Sequence, residues 1–311
     1  ALFGLRVGTV REGSRFDAVS REGALVINNL LLSAILGIVL VGTLYPLMAE
    51  AVTGEKLSVG PPYFNTAAGP LALALVAVMA AGPVMRWRRD ELRAVLTRMA
   101  IPLLVAAVVL LLVVLLAPGI GILPLLGLVA AGGVGIGSLA PLWKRNLRRT
   151  PLFTWGMVIA HLGIAVSMAG MAAESAFTKE TLVAARMGES HRVGPYTIRL
   201  DDVEPVGGPN FTAVEASITA QRGTGAPFTL HPQTRTFPSP QAETNEAAIT
   251  TVLDGQLYVV IGKSDEAGRW QLRLWWKPFV TLIWAGGILI ALGGLLSLVG
   301  RVRREMRHAP V

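Results

Sequence analysis

His161 is the only histidine inside the long apolar runs of this 311-residue sequence. It stands in Trp155-Gly-Met-Val-Ile-Ala-His-Leu-Gly-Ile-Ala165, with no Lys, Arg, Asp or Glu in any of those runs. An ionisable group at membrane depth is costly, and it normally faces protein, a cofactor or water. A neutral imidazole is a good ligand for haem iron. The bland alternative is a histidine hydrogen-bonded to a neighbouring helix. At helical spacing Met157, His161, Ile164, Ala165 and Met168 share one face. That face is apolar and polarisable, so Met157, Ala165 and Met168 are the candidate haem-contact residues. The adjoining stripe of Gly156, Ala160, Gly163, Ser167 and Gly170 is small, which suits close helix packing. A six-coordinate haem needs a second axial ligand, and these runs supply none.

The remaining residues offer less. His191, in a polar stretch ahead of the strand-like sequence, His231 beside Pro232, and His308 in a basic tail all read as surface or turn histidines. Asn28 and Asn29 read as caps or bridges between helices. Trp275-Trp276, followed by Lys277, reads as an interfacial aromatic anchor. Gly286-Gly287, Gly293-Gly294 and Gly300 recur every seven residues and read as a packing face. There are no cysteines, so thiol catalysis, disulfides and thiolate metal sites are excluded within this sequence. No phosphate-binding loop, acid pair, metal-spaced cluster or hydrolase elbow is present.

The elements that position His161 follow from composition. Hydrophobic residues make up 52% and charged residues 15%, against about 25% charged in soluble domains. The apolar residues are gathered in runs longer than roughly 18 residues, the signature of membrane spans. Six spans are expected, at residues 25–48, 66–85, 99–117, 119–142, 151–173 and 278–300. Ala117-Pro118-Gly119 reads as the turn that divides one uncharged stretch into two spans. A sequence that opens on Ala, without a signal-peptide core, reads as a piece of a longer or split protein.

The net charge of +8 is an orientation code and not a sign of nucleic-acid binding. Laid over six spans, 17 basic and 6 acidic residues fall on one side, and 11 basic and 14 acidic on the other. Arg86, Arg88, Arg89, Arg93 and Arg98 fill one short loop, and Lys144, Arg145, Arg148 and Arg149 another. The bias in short loops predicts both termini in the cytoplasm. Residues 1–173 then form a membrane domain, 174–277 a periplasmic domain, 278–300 the last span and 301–311 a cytoplasmic basic tail.

The periplasmic segment alternates like β-strand at Tyr196–Leu200, Ala213–Thr219 and Gln271–Trp275. Asp254-Gly255, between Ile249–Leu253 and Gln256–Ile261, is a hairpin signal. About five to seven antiparallel strands are expected, closed into a small barrel or sandwich.

Several ordered motifs carry a resemblance. They are Ser20-Arg-Glu-Gly with Asn28-Asn29, Gly42-Thr-Leu-Tyr-Pro46, Val59-Gly-Pro-Pro-Tyr-Phe-Asn65, His161-Leu-Gly-Ile-Ala165, and Lys277-Pro-Phe-Val280 with Trp284. Together they resemble the C-terminal half of the CcmF family of cytochrome c-type biogenesis proteins, the haem lyases of bacterial cytochrome c maturation. The resemblance runs over essentially the whole sequence. It implies that His161 is an axial ligand of a haem b. The second ligand would be a transmembrane histidine of the family's N-terminal half. That half also carries the tryptophan-rich haem-handling segment and two external histidines, none of which is in this sequence. The resemblance implies an enzyme of the bacterial inner membrane that attaches haem to Cys-x-x-Cys-His motifs of apocytochrome c. The haem chaperone CcmE, CcmH, CcmI and the N-terminal half would be its partners, and the lipid bilayer its surroundings. A haem or solute transporter, or a structural assembly subunit without a cofactor, are the rival readings.

Overall fold

The computed structural model describes residues 16–308 apart from 56 and 144. Arg6, Arg11, Arg15 and Lys144, which carry part of the charge bias, lie outside the described residues, as do residues 309–311 and the side chain of His308. The chain divides into two compact units, Ala1–Ala165 with Ile288–Val311, and Val166–Gly287.

The first unit is helical. Helix α1 (Arg21–Thr53) starts on Ser20, whose hydroxyl accepts the Gly23 N–H at 3.0 Å, and stops at the left-handed Gly54. Only Gly23, Ala24 and Gly42 are buried along its length. Between Leu25 and Val52 most of its large apolar side chains are exposed, which water would not tolerate and a bilayer would. Gly42 has no room for a side chain, because a Cβ would lie 2.6 Å from the Tyr63 ring and 2.8 Å from that of Phe64. Two of the sequence motifs therefore meet there.

The second expected span, 66–85, falls on a bent pair of helices. Helix α2 (Pro61–Ala67) and helix α3 (Gly69–Ala81) are bent by 46°. Pro70 lacks an N–H and disfavours a helical residue before it, so the helix breaks at this point. Helix α4 (Leu92–Arg98) and helix α5 (Ala100–Leu116) are bent by 60°. Pro102 is the cause here: it cannot donate to the Arg98 carbonyl four residues back. Gly119, at φ +87°, then turns the chain into helix α6 (Ile122–Gly137). Helix α7 (Leu152–Phe177) and helix α8 (Thr281–His308) complete the set. Four helices are long and apolar enough to cross a membrane, or six spans if each bent pair is one.

Glycines decide how these helices meet. A Cβ on Gly132 would sit 2.9 Å from Val109 of α5, and one on Gly137 would sit 3.6 Å from the Ala80 carbonyl of α3. On α8 the heptad glycines split into two sets. Gly286, Gly293 and Gly300 are buried, whereas Cβ atoms on Gly287 and Gly294 would meet nothing. A Cβ on Gly293 would lie 2.6 Å from the Gly156 carbonyl and 2.8 Å from the Ala160 Cα. Those are backbone atoms and cannot rotate away. Gly293→Val should therefore cost at least about 1–3 kcal/mol, read as a lower midpoint of thermal unfolding in detergent. Gly294→Val should leave that midpoint unchanged; equal losses would place the packing face wrongly.

The second unit holds a β-sandwich between α7 and α8. It has ten strands where five to seven were expected: β1 (Lys179–Ala185), β2 (Ser190–Val193), β3 (Tyr196–Gly207), β4 (Thr212–Arg222), β5 (Phe228–Leu230), β6 (Gln233–Pro238), β7 (Gln241–Glu246), β8 (Ala248–Val252), β9 (Gly255–Ser264) and β10 (Trp270–Pro278). One sheet runs β1-β10-β9-β8. The other runs β2-β3-β4-β6-β7, with β5 also paired to β4. All pairings are antiparallel. The extra strands are short or polar. Strand β7 is exposed at every residue, so it has no alternation to detect. Between the sheets lie Ile198, Leu200, Ile218, Ile261, Leu272 and Leu274, all fully buried. One residue, Thr178, separates α7 from β1, and Phe279 and Val280 separate β10 from α8.

The Trp275-Trp276 pair is not an interfacial anchor as a unit. On β10 successive side chains point to opposite faces. Trp276 is 6% exposed in the sandwich core, 5.4 Å from the Tyr196 ring. Trp275 points out, with the Arg273 guanidinium 4.5 Å from its ring.

Candidate functional site

Helix α7 positions His161. Its apolar sequence and lack of internal proline keep it straight in hydrogen bonding from Leu152 to Phe177. The small stripe faces α8: Gly156 and Ala160 meet Gly293, and Ser167 donates to the Ile283 carbonyl at 3.0 Å. Ala165 is buried, and its Cβ is 3.7 Å from where a Cβ on Gly135 of α6 would lie. His161 stands between these two covered faces and is partly buried.

The imidazole geometry is specific. His161 Nδ1 lies 2.8 Å from the Met157 carbonyl oxygen, one turn back. A carbonyl only accepts, so Nδ1 carries the proton and the lone pair is on Nε2. Among the described residues no group hydrogen-bonds to Nε2. A fixed tautomer with a free Nε2 is the arrangement found in metal-ligating histidines, whose other nitrogen binds a carbonyl or carboxylate. Its free Nε2 is the kind of donor that would hold a haem iron, and His161 would supply one such donor. Met157 is partly buried beside it. Met168 is partly buried too, but it belongs to the second unit. No group of three His, Asp or Glu side chains among the described residues is arranged to hold a metal ion.

His191 and His231 sit in the sandwich. His231 is half exposed, with Nδ1 3.5 Å from Glu215 Oε1. His191 does not precede the β-domain but belongs to it, on β2 opposite Ile198. Its Nε2 is buried without a hydrogen bond, 3.9 Å from Glu189.

A second ordered cluster lies where β10 leads into α8. The Arg222 guanidinium makes a two-pronged bond to the Asp254 carboxylate and stands over the rings of Tyr196 (5.8 Å) and Trp276 (5.5 Å). The Asp254 carbonyl accepts the Phe279 N–H at 2.8 Å, and the Leu253 carbonyl accepts the Thr281 hydroxyl at 2.7 Å. The β8–β9 hairpin thus holds the first residues of α8. Its tip is Leu253-Asp254, one residue earlier than the expected Asp254-Gly255. Gly255 pairs with Val252 as a strand residue. It is glycine because a Cβ would meet the Lys277 carbonyl at 2.6 Å and the Trp276 ring at 2.7 Å.

The Arg222 hydrogen bonds hold the Asp254 carboxyl below its ordinary value of 3.8, and Asp254 in turn raises Arg222. A depressed carboxyl stabilises the fold above its unfolded value, and that stability is lost as pH falls through the lower folded value. Both groups are more than a third exposed, so the contribution is below about 1 kcal/mol. Wild-type protein should lose more sandwich stability between pH 5 and 2 than Asp254→Asn does, measured by urea unfolding. Parallel pH profiles would remove the pair from the account.

Fold and site define a class: a multispanning helical membrane protein with a β-sandwich inserted before its last helix and one histidine presented within a span. Residues 176–278 match a family model described as the CcmF C-terminal β-sandwich. The chain is 37% identical over 315 residues to the cytochrome c-type biogenesis protein CycK of Rhizobium meliloti, covering 97% of this chain and 46% of that protein. It is 38% identical to ccl1 of Rhodobacter capsulatus (99% and 48%) and 35% identical to CcmF of Escherichia coli (96% and 46%), both cytochrome c-type biogenesis proteins. A solved structure of a cytochrome c haem lyase CcmF superposes with a TM-score of 0.68 at 25% identity, over 91% of this chain and 46% of that one. The chain thus corresponds to the C-terminal half of the CcmF family, and it spans about half the length of the curated relatives it matches.

Proposed function

We propose that this chain is the haem-ligating and β-sandwich half of a membrane haem lyase acting in cytochrome c maturation. The observation that carries the reading is His161, with Nδ1 committed to the Met157 carbonyl and Nε2 free within an apolar helix. The relatives' names, cytochrome c-type biogenesis proteins and a haem lyase, point the same way.

In this reading His161 would hold the iron of a haem b together with a histidine of the N-terminal half that the longer relatives carry. Met157, Ala165 and Met168 are its neighbours at helical spacing. Bound haem supplies one-electron chemistry, tuned by its ligands and its burial. His161 holds and orients that group, and the packed faces of α7 on either side of it keep water away. The reaction itself joins cysteine thiols of the apocytochrome to haem vinyl groups. Each S–H adds across a C=C bond, so the step consumes no oxidant and needs no cysteine in this chain. CcmE is the haem donor, and CcmH and CcmI present the apocytochrome. The sandwich is the docking surface, on the periplasmic side of the inner membrane, and both termini are cytoplasmic.

The test is complementation. In a bacterium lacking its own homologue, the chain expressed with an N-terminal half should restore covalent haem on a reporter cytochrome c. The chain alone should restore none. If both halves accumulate in the membrane and the reporter remains without haem, the reading fails.

A further inference from the structure

The first unit carries a basic surface that neither the fold nor the haem reading uses. It is built from two loops at one end of the helices. Of the four carboxylates at the first, Asp17, Glu22 and Asp90 are already committed, and Glu91 is exposed without an ion pair among the described residues. Asp90, with a side chain only 2% exposed, takes Arg98 at 2.6 Å and the N–H groups of Arg86 and Glu91, which hold its carboxyl far below the ordinary value. Asp17 pairs with Arg89 at 3.1 Å, and Glu22 accepts the Arg88 N–H at 2.7 Å. The exposed guanidiniums of Arg86, Arg88 and Arg93 are left without a carboxylate among the described residues. In the second loop, exposed Arg145, Arg148 and Arg149 likewise have none.

Three observations make this a built surface and not a scatter of charge. The first loop is pinned by backbone bonds: Asp17 N–H to the Arg88 carbonyl, Arg21 N–H to the Arg86 carbonyl, and Asp90 N–H to the Val19 carbonyl, at 2.8–2.9 Å. The two loops adjoin, because the short 3₁₀ turns Gly82–Val84 and Ala140–Leu142 that lead into them pack together. Each loop also carries an outward tryptophan, Trp87 at 58% and Trp143 at 67% exposure. Tryptophan at the end of apolar helices sits at headgroup depth. A positive bias of the loops accounts for orientation in the bilayer. It does not require that three of the four local carboxylates be tied up, nor that two tryptophans flank the arginines.

We propose that these two loops bind the phosphate of anionic phospholipid headgroups, with the guanidiniums as paired donors. Trp87 and Trp143 lie beside the glycerol region. This site is independent of His161.

The test uses the full chain in detergent micelles doped with phosphatidylglycerol or phosphatidylcholine, with bound lipid counted by native mass spectrometry. Phosphatidylglycerol should be retained and phosphatidylcholine should not. Affinity for phosphatidylglycerol should fall roughly fivefold for each arginine removed in R86Q/R88Q/R93Q and in R145Q/R148Q/R149Q. The corresponding lysine variants should keep most of it, and R199Q on the sandwich should keep all of it. Circular dichroism of each variant checks folding. If the glutamine variants unfold, the lysine variants and the salt dependence of wild-type binding decide. Equal retention of both lipids, or unchanged retention in folded glutamine variants, overturns the proposal. So does displacement of the lipid by millimolar inorganic phosphate, which marks a free-phosphate site. Tighter binding of a single-stranded oligonucleotide than of the lipid overturns it as well.

Discussion

On the proposed ligation of haem b by His161, replacing His161 by Ala in the complete protein, N-terminal half included, is expected to abolish b-type haem absorption. Alanine is the best helix former, and His161 is only partly buried, so α7 should persist and the loss should be chemical. With one axial ligand gone, haem retained through purification should drop by at least roughly tenfold, since even partners of ligands are worth that much. Two further variants separate ligation from packing. His161→Gly should regain a b-type spectrum when imidazole is added, because the free base can occupy the vacated position. Met157→Ala keeps the carbonyl that holds Nδ1, so it should leave the His161 ligation intact and cost less haem than His161→Ala, losing only its contact with the group. A His161→Ala protein that holds a full complement of haem with unchanged bands would remove the residue from the site.

The second large effect belongs to the sandwich. Trp276→Ala should destabilise it by about 3–5 kcal/mol, the usual cost of removing a buried aromatic. The surroundings of the ring cannot collapse to fill the space. Gly194, at φ +54°, and Gly255 both press their backbones on the indole; a Cβ on either would come within 2.6–2.7 Å of it. Arg222 and Tyr196 cover the remaining sides. Slowed hydrogen exchange of the β9 and β10 amides is the readout. Protection should fall by about two to three orders of magnitude, at 1.4 kcal/mol for each. Trp275→Ala, on the outer face, should change it by less than tenfold. Equal losses in the two variants would mean that the two rings do not occupy opposite faces.

His161 was legible because charge is so scarce in the apolar runs that a single imidazole stands out. That several helices are apolar enough to span a membrane was legible for the same reason, and the division at Ala117-Pro118-Gly119 because proline and glycine stop helices wherever they fall. Less legible were the bends at Pro70 and Pro102, since a proline near a helix start is compatible with either a first turn or a kink. The strand count was underestimated at β7, whose sequence, polar but for Ala242, looks like a loop. It pairs only because β6 offers a backbone edge. Gly255 carried a turn signal, but its real constraint is the Trp276 ring, which is distant in sequence. The run Gly132-Gly133-Val134-Gly135 gave no functional signal, yet these glycines set how closely α5 and α7 approach α6.

The sequence by itself determined that the protein crosses a membrane, that an antiparallel β-domain precedes its last helix, and that one histidine lies at membrane depth. Those are properties of composition and local period, and each residue contributes to them whatever its neighbours become. Only the tertiary structure decided which tryptophan of the pair is core, which glycine of each heptad pair is contact, and which nitrogen of His161 is free. Each of those depends on what lies opposite: a facing backbone that leaves no room for a Cβ, or a carbonyl one turn away that fixes a proton. Packing and hydrogen bonding are relations between residues, and the chain must fold before the second member of each relation is in place.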